Sequence, residues 1–309
     1  MICLGWNLAL PLAATAQAES TSTYVEPAGR IESPELSELS GLAVSRRVAG
    51  RWWGLNDSGH APVLYAFAAD GRGQGEVTLG ILNTDWEDLA SYSDRDGRAY
   101  LAIADTGDNF SFRSFVSIWV LPEPELPAKA GELPVPREIR FRFEDGPRDC
   151  EALAADPARQ RFLLVDKGRR PAGLYELPMA PPANGQVAVA RRIGELPLIW
   201  SGGLPPALPA GTERYRGSAT SMDLSPDGRR LLVLAYKHLA EFQRRDDEDW
   251  PQAIARGPAG ILRIPPLRIA EALGYDAQAH QALIGGEAVH TPLLRWLGRF
   301  PPALPDTAR

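Results

Sequence analysis

The stretch DWEDLASYSDRDGRAYLAIADTGDN, Asp85–Asn109, sets two short apolar runs on either side of the polar turn SDRDGR and carries acids at both outer ends. Gly97 supplies the positive φ that such a turn needs, so the segment reads as a β-hairpin. The same pattern recurs along the chain. It is found in SGLAVSRRVAGRWWGLND from Ser40, EALAADPARQRFLLVDK from Glu151, TSMDLSPDGRRLLVLAYK from Thr220 and EALGYDAQAHQALIGGE from Glu271.

A third strand with aliphatics and an aromatic follows in several units. Examples are APVLYAFAADG at Ala61, SIWVLPEP at Ser117, AGLYELP at Ala172 and TPLLRW at Thr291, with LAEFQR at Leu239 a poorer fit. Fourth strands are expected at EVTLGIL from Glu76, EIRFRFE from Glu138 and VAVARRIGEL from Val187. Four-stranded units at intervals of roughly 45 to 70 residues are the mark of a β-propeller. The fold expected is therefore all-β: a single propeller of four-stranded antiparallel blades, five in number, with six as the alternative. GRIESP at Gly29–Pro34 is placed to return as the outer strand of the last blade and close the ring. The Pro-rich stretches Leu121–Pro136 and Leu196–Gly211, and the acidic EFQRRDDEDW, read as surface excursions.

Bulk properties agree with one globular unit. A chain of 309 residues with 44% hydrophobic and 23% charged residues can bury a full core. The 28 prolines and 29 glycines suit a loop-rich β protein. A net charge of −6 with no basic block argues against nucleic-acid binding. The N-terminus MICLGWNLALPLAATAQAES has an apolar run and the small-residue pattern Ala16-Gln17-Ala18, so residues 1–18 read as a signal peptide and 19–309 as the propeller. A periplasmic or secreted protein is expected, with no membrane span. Cleavage would remove Cys3 and leave Cys150 as a lone thiol.

Consecutive strands of a blade are antiparallel, so the start of the first lies beside the end of the second. First-strand starts are Ser40, Glu87, Glu151, Thr220 and Glu271, and Glu38, Asp85 and Asp149 stand two residues earlier. Second-strand ends are Asn56-Asp57, Asp105, Asp166-Lys167, Tyr236-Lys237 and Glu287. Symmetry brings all of these to one end of the central channel. Carboxylates crowded at a narrow opening repel one another unless a cation neutralises them. Calcium, with six to eight oxygen ligands, suits such a set, whereas the lack of thiolate clusters, HExxH and paired histidines disfavours zinc. For any single acid, turn capping is the competing reading, and NDSG and DTGDN have the look of Asx turns.

Other chemistry is sparser. His60 and His238 follow second strands and could act as general bases. There is no GxSxG elbow for a nucleophilic serine, Ser58 has no placed partner, and GRGQG at Gly71–Gly75 lacks the helix of a phosphate loop. Cys150, between Asp149 and Glu151, is expected to be a poor thiolate. The eight Trp residues read as packing between blades.

The succession ELSGL, NDSG, DWEDL, ADTGDN, DCEAL, LSPDG and EAL, running from about Gly29 to Trp296, resembles exported bacterial propellers related to the phytase-like, or "esterase-like activity of phytase", proteins. More distantly it is similar to calcium-dependent lactonase and phosphotriesterase propellers. The resemblance implies calcium held by Glu87, Asp105, Glu151, Asp166, Glu271 and Glu287, and an anion facing Lys167 and Lys237. Asn56 and Tyr236 at the same strand ends join the expected substrate contacts. No organic cofactor is implied. Basic residues are few and Ser40 and Thr220 replace Glu in two units, so a small phosphoester, ester or lactone fits better than phytate. The chemistry expected is hydrolysis, with water deprotonated by Glu87 or His60. The alternative is a non-catalytic ligand-binding or scaffold propeller of the cell envelope, which would engage a protein partner.

Overall fold

The structure, a computed structural model, describes residues 23–127, 135–168, 170–180, 186–197, 215 and 217–302. The expected signal peptide lies outside these residues.

The chain is an all-β propeller of antiparallel meanders. Strand β1 (Val25–Arg30) precedes a first meander of β2 (Leu39–Val44), β3 (Arg51–Asn56), β4 (Val63–Ala68) and β5 (Gly73–Thr78). A second comprises β6 (Trp86–Ser93), β7 (Ala99–Asp105), β8 (Val116–Pro122) and β9 (Arg137–Phe143). A third comprises β10 (Cys150–Asp156), β11 (Arg161–Asp166), β12 (Ala172–Pro178) and β13 (Ala188–Leu196). The second and third join edge to edge, because β9 and β13 pair in parallel over Phe141–Phe143 and Ala188–Ala190, giving one eight-stranded sheet. Next come β14 (Ala219–Leu224), β15 (Arg230–Ala235), β16 (His238–Gln243), the helix α1 (Trp250–Ala255) and β17 (Gly260–Arg263). The last sheet holds β18 (Ala270–Tyr275), β19 (Ala282–Gly286) and β20 (Pro292–Trp296), and its outer edge is β1, returning from the N-terminal side. The closing strand thus lies a few residues before the expected GRIESP, with Val25 opposite Trp296 and Arg30 opposite Pro292.

Strands β2, β6, β10, β14 and β18 pack side by side, each against the next and β18 back against β2. Apolar side chains fill the spaces between neighbouring sheets. Trp53 and Leu64 of the first meander pack with Leu89, Leu101 and Ile103 of the second. Trp53, Trp86, Trp250 and Trp296 are all fully buried and Trp52 nearly so, so five of the eight tryptophans are core residues. Such rings each bury up to about 250 Å² and dominate core energetics.

Helix α1 begins at the last residue of the acidic EFQRRDDEDW, read from sequence as a surface excursion, and the first three residues of that stretch belong to β16. Asp249 is its N-cap, with the reciprocal Asp249–Gln252 capping box and Pro251 in the first turn. Its Trp250 and Ile254 bury against the third and fourth meanders. Asp249 also pairs with Arg161, which in turn reaches Asp156 and Glu176, tying the two meanders together. Among the described residues no helix is long and apolar enough to cross a membrane.

Candidate functional site

One device sets the geometry of the channel mouth. In every meander the pairing of the innermost two strands slips by one residue at the same place. The skipped residues are Ser40, Glu87, Glu151, Thr220 and Glu271. A β-bulge of this kind re-aims the side chain of the extra residue. Where that residue is a hydroxyl it ties adjacent inner strands: Ser40 Oγ donates to the Trp86 carbonyl at 3.1 Å and Thr220 Oγ1 to the Ala270 carbonyl at 2.9 Å. Where it is a glutamate, the carboxylate belongs to a buried cluster of charges.

The residues just past the second strands join that cluster. The amides of Asp57, Lys167 and Glu287 donate to the carbonyls of Glu38, Asp149 and Ile269, which continues each hairpin by one step. Two carboxylate triads result, Asp57-Asp85-Glu87 and Glu87-Asp149-Glu151, each with one oxygen per residue within 4.8 Å of the others. Glu87 is common to both. The glycine of DTGDN makes room for them, since a Cβ on Gly107 would lie 2.1 Å from Glu87 Oε1 and 2.4 Å from Asp85 Oδ2.

Among the described residues, one lysine stands with these acids. Lys167 forms an ion pair with Glu151, lies 3.7 Å from Glu271, and has its ammonium 5.0 Å from the ring centre of Tyr215 and 5.7 Å from that of Tyr236. Burial opposes its charge, but Glu151 and its neighbours hold the lysine pKa well above its ordinary value. The carboxylates shift upward. Burial raises Glu87 strongly, with Glu151, Asp57 and Asp149 adding repulsion against the pull of Lys167. Burial likewise raises Glu151 and Glu271 despite Lys167, and it pushes Asp57 up to about 6. Glu287, hydrogen-bonded to Glu271, is raised by burial too. The mouth is therefore a site whose carboxylates gain from a proton or a cation. Its ligand atoms are hard oxygens, and the Cys150 thiol turns away to donate to the Val165 carbonyl at 3.3 Å. That donor set fits calcium.

The other residues named from sequence are placed as follows. Glu87, Glu151, Glu271, Glu287, Lys167 and Tyr236 come together in the mouth. Asp105 and Asp166 stand outside the two triads, each engaged within its own meander. Asp105 pairs with Arg113 at 2.8 Å, while Asp166 accepts from the Gly173 amide at 2.8 Å and lies 3.4 Å from Arg148. Asn56 accepts from the Glu38 amide at 2.9 Å and donates to the Glu35 carbonyl at 2.7 Å, clamping the entry to β2. Lys237 is half-buried in the turn between β15 and β16, beside His238. Burial depresses His238 to about 4, which leaves it neutral at ordinary pH. His60 lies 3.4 Å from Glu38 and 3.2 Å from the Ser58 carbonyl.

Turn capping accounts for the last acid of DTGDN: Asp108 accepts from the amides of Phe112 and Arg113. The triad members Asp57, Asp85 and Asp149 were visible in the sequence as neighbours of strand ends. Their inward aim follows from the bulge, which shifts the alternation of side chains by one step.

A cavity of about 290 Å³ opens beside the second triad, lined by Asn109, Phe110, Arg148, Asp149, Lys167 and Tyr215 among others. Arg148 is committed elsewhere. Nη2 contacts Asp145, Nε donates to Tyr175 and Nη1 to the Pro147 carbonyl.

Deeper in the channel, Asp88 is completely buried and accepts from the Leu153 and Leu89 amides at 2.8 and 2.9 Å, from Ser221 Oγ at 3.0 Å and from the Met222 amide at 3.4 Å. One carboxylate thus joins β6, β10 and β14 below the mouth.

No family model matches the chain, and no curated protein does. Among solved structures it is similar to the Cps50 (Swd1) β-propeller domain of Myceliophteria thermophila. The identity is 15% and the TM-score 0.38, and the match covers 85% of this chain and 65% of that one.

Proposed function

We propose that this chain is a five-bladed, exported propeller whose channel mouth binds calcium and hydrolyses a small phosphoester, ester or lactone. The five meanders among the described residues, whose inner strands form a ring, support the blade count. The motif string that resembles phytase-like proteins supports export and hydrolysis. The observation that carries the ion site is the pair of triads sharing Glu87, one fully buried and one partly, with Lys167 beside them.

Asp57, Asp85, Glu87, Asp149 and Glu151 would hold the ion. When bound, calcium supplies a Lewis acid that polarises a phosphoryl or carbonyl oxygen and makes a water more acidic. Lys167 pairs with Glu151 and orients it. Glu271, raised by burial and by its hydrogen bond to Glu287, carries the proton of that pair, which leaves His60, three residues past Asp57 and 3.4 Å from Glu38, to accept a proton from water. The cavity beside Asp149 is the seat for the substrate.

One observation favours the non-catalytic alternative, a ligand-binding or scaffold propeller. The cations nearest the cavity, Lys167 and Arg148, are already paired with carboxylates, so an anionic substrate would rely on the ion for its charge partner. Assay of calcium-loaded protein against p-nitrophenyl phosphate, p-nitrophenyl acetate and a γ-lactone separates the two. Turnover that His60→Gln lowers at least tenfold supports hydrolysis. Calcium binding with no turnover on the panel would replace it with the scaffold reading.

A further inference from the structure

The rim of the mouth carries unusual apolar exposure. Phe110 is 83% exposed, Leu82 78%, Phe112 73% and Val289 58%. All four lie on loops at the same end of the propeller. Leu82 precedes β6, Phe110 and Phe112 lie between β7 and β8, and Val289 lies between β19 and β20. Single exposed apolar residues are ordinary, but a group of this size around one opening marks an interaction surface.

The two phenylalanines are held out by a braced turn. Asp108 caps the amides of Phe112 and Arg113, and Arg113 returns to the Gly107 carbonyl at 2.7 Å. Ser111, between the rings, adopts φ of 53°, a conformation uncommon for a residue with a side chain. The rings stack with centroids 6.2 Å apart.

Between Leu82 and Val289 the surface is acidic. Asn83 donates to the Asp57 carbonyl at 2.7 Å, the Asp57 amide reaches Glu38, and Glu38 bridges Glu287 across a single antiparallel pair. Two glutamates are thereby paired through their backbones at the rim. Glu38 lies 3.4 Å from His60 and Glu287 is hydrogen-bonded to Glu271, and neither belongs to the two triads, so an ion bound there leaves this acidic pair in place. This charge selects the occupant: anionic headgroups of a bilayer would be repelled, whereas a basic side chain would be attracted.

We propose that this face docks a protein partner through a segment that presents an arginine or lysine to Glu38 and Glu287 and lays flanking apolar side chains on Leu82, Phe110, Phe112 and Val289. This goes beyond the ion site and holds whether or not the propeller turns over a substrate. Aromatic and arginine anchors of this kind dominate protein interfaces.

The test uses three labelled, capped pentapeptides read by fluorescence anisotropy: Gly-Phe-Arg-Phe-Gly, Gly-Phe-Glu-Phe-Gly and Gly-Gly-Arg-Gly-Gly. The first should bind at least tenfold tighter than the other two. The double variant Phe110→Ser/Phe112→Ser and the variant Glu38→Gln/Glu287→Gln should each remove most of that advantage. Circular dichroism confirms that these variants are folded. Equal binding of the arginine and glutamate peptides, or binding untouched by either variant, would overturn the proposal. So would no peptide binding together with sedimentation on phosphatidylcholine vesicles that the double phenylalanine variant abolishes, since a bilayer would then be the occupant.

Discussion

The ammonium of Lys167 pairs with Glu151 at the centre of a mouth otherwise built from carboxylates, and both side chains are more than nine-tenths buried. Removing one partner of such a pair leaves an uncompensated buried charge, at a cost of about 3–5 kcal/mol. Lys167→Gln should therefore lower the thermal midpoint of chelator-treated protein by several degrees. Because the variant makes the mouth more negative, saturating calcium should restore more of its stability than it adds to the wild type. Differential scanning calorimetry with and without calcium checks both effects.

The pH dependence follows from the direction of the carboxylate shifts. Asp57 is raised to about 6 and Glu87, Glu151 and Glu271 are raised further from their ordinary values, burial being the first cause in each. Between the unfolded carboxylate pKa near 4 and these raised values, the folded state binds more protons than the unfolded one. Stability of the calcium-free protein should accordingly fall as pH rises through that window. The lysine works in the opposite range. Its raised pKa adds stability below about pH 10 that disappears only above it, so it does not offset the trend at neutral pH. Urea titrations at pH 5 and pH 7.5 without calcium should give the higher midpoint at pH 5, and calcium should narrow the gap.

Gly107→Ala tests the close packing of the triads. The added methyl would overlap Glu87 and Asp85. Overpacking of this kind costs about 1–3 kcal/mol where side chains must move. The carboxylates are what must move, so calcium affinity should fall at least tenfold while the fold survives. Titration calorimetry and a thermal melt on the same sample separate the two effects.

Asp88 is a different case, a carboxylate that serves the framework. Asp88→Ala leaves the Leu153 amide and Ser221 in the channel without their acceptor, and each buried unsatisfied group costs about 1–3 kcal/mol. A loss of about 2–6 kcal/mol is expected in urea unfolding, with Asp88→Asn losing less because an acceptor oxygen remains.

Much of this arrangement was legible in the sequence. The hairpin repeat gave the fold, and the recurring glutamate at Glu87, Glu151 and Glu271 marked the bulged position before any bulge was visible. Asp105 and Asp166 stood beside these glutamates in the sequence pattern yet lie apart from them in space. The reason is the phase of the strand: the last paired residue of the second strand is engaged within its own sheet, and the next residue reaches the mouth. Asp57, Lys167 and Glu287 occupy that next position. A one-residue slip cannot be read from alternation alone, because alternation assumes the regular ladder that the bulge breaks. Helix α1 was masked by its acidic approach, although the Asp249–Gln252 pair was a readable start signal.

The most direct measurement is calorimetric titration of calcium into chelator-treated wild type and Glu87→Gln. Saturable binding by the wild type, weaker with magnesium and lost in Glu87→Gln because both triads share that residue, is the expected result. Absence of calcium binding by folded wild-type protein, or binding that Glu87→Gln leaves unchanged, would contradict an ion site at the channel mouth.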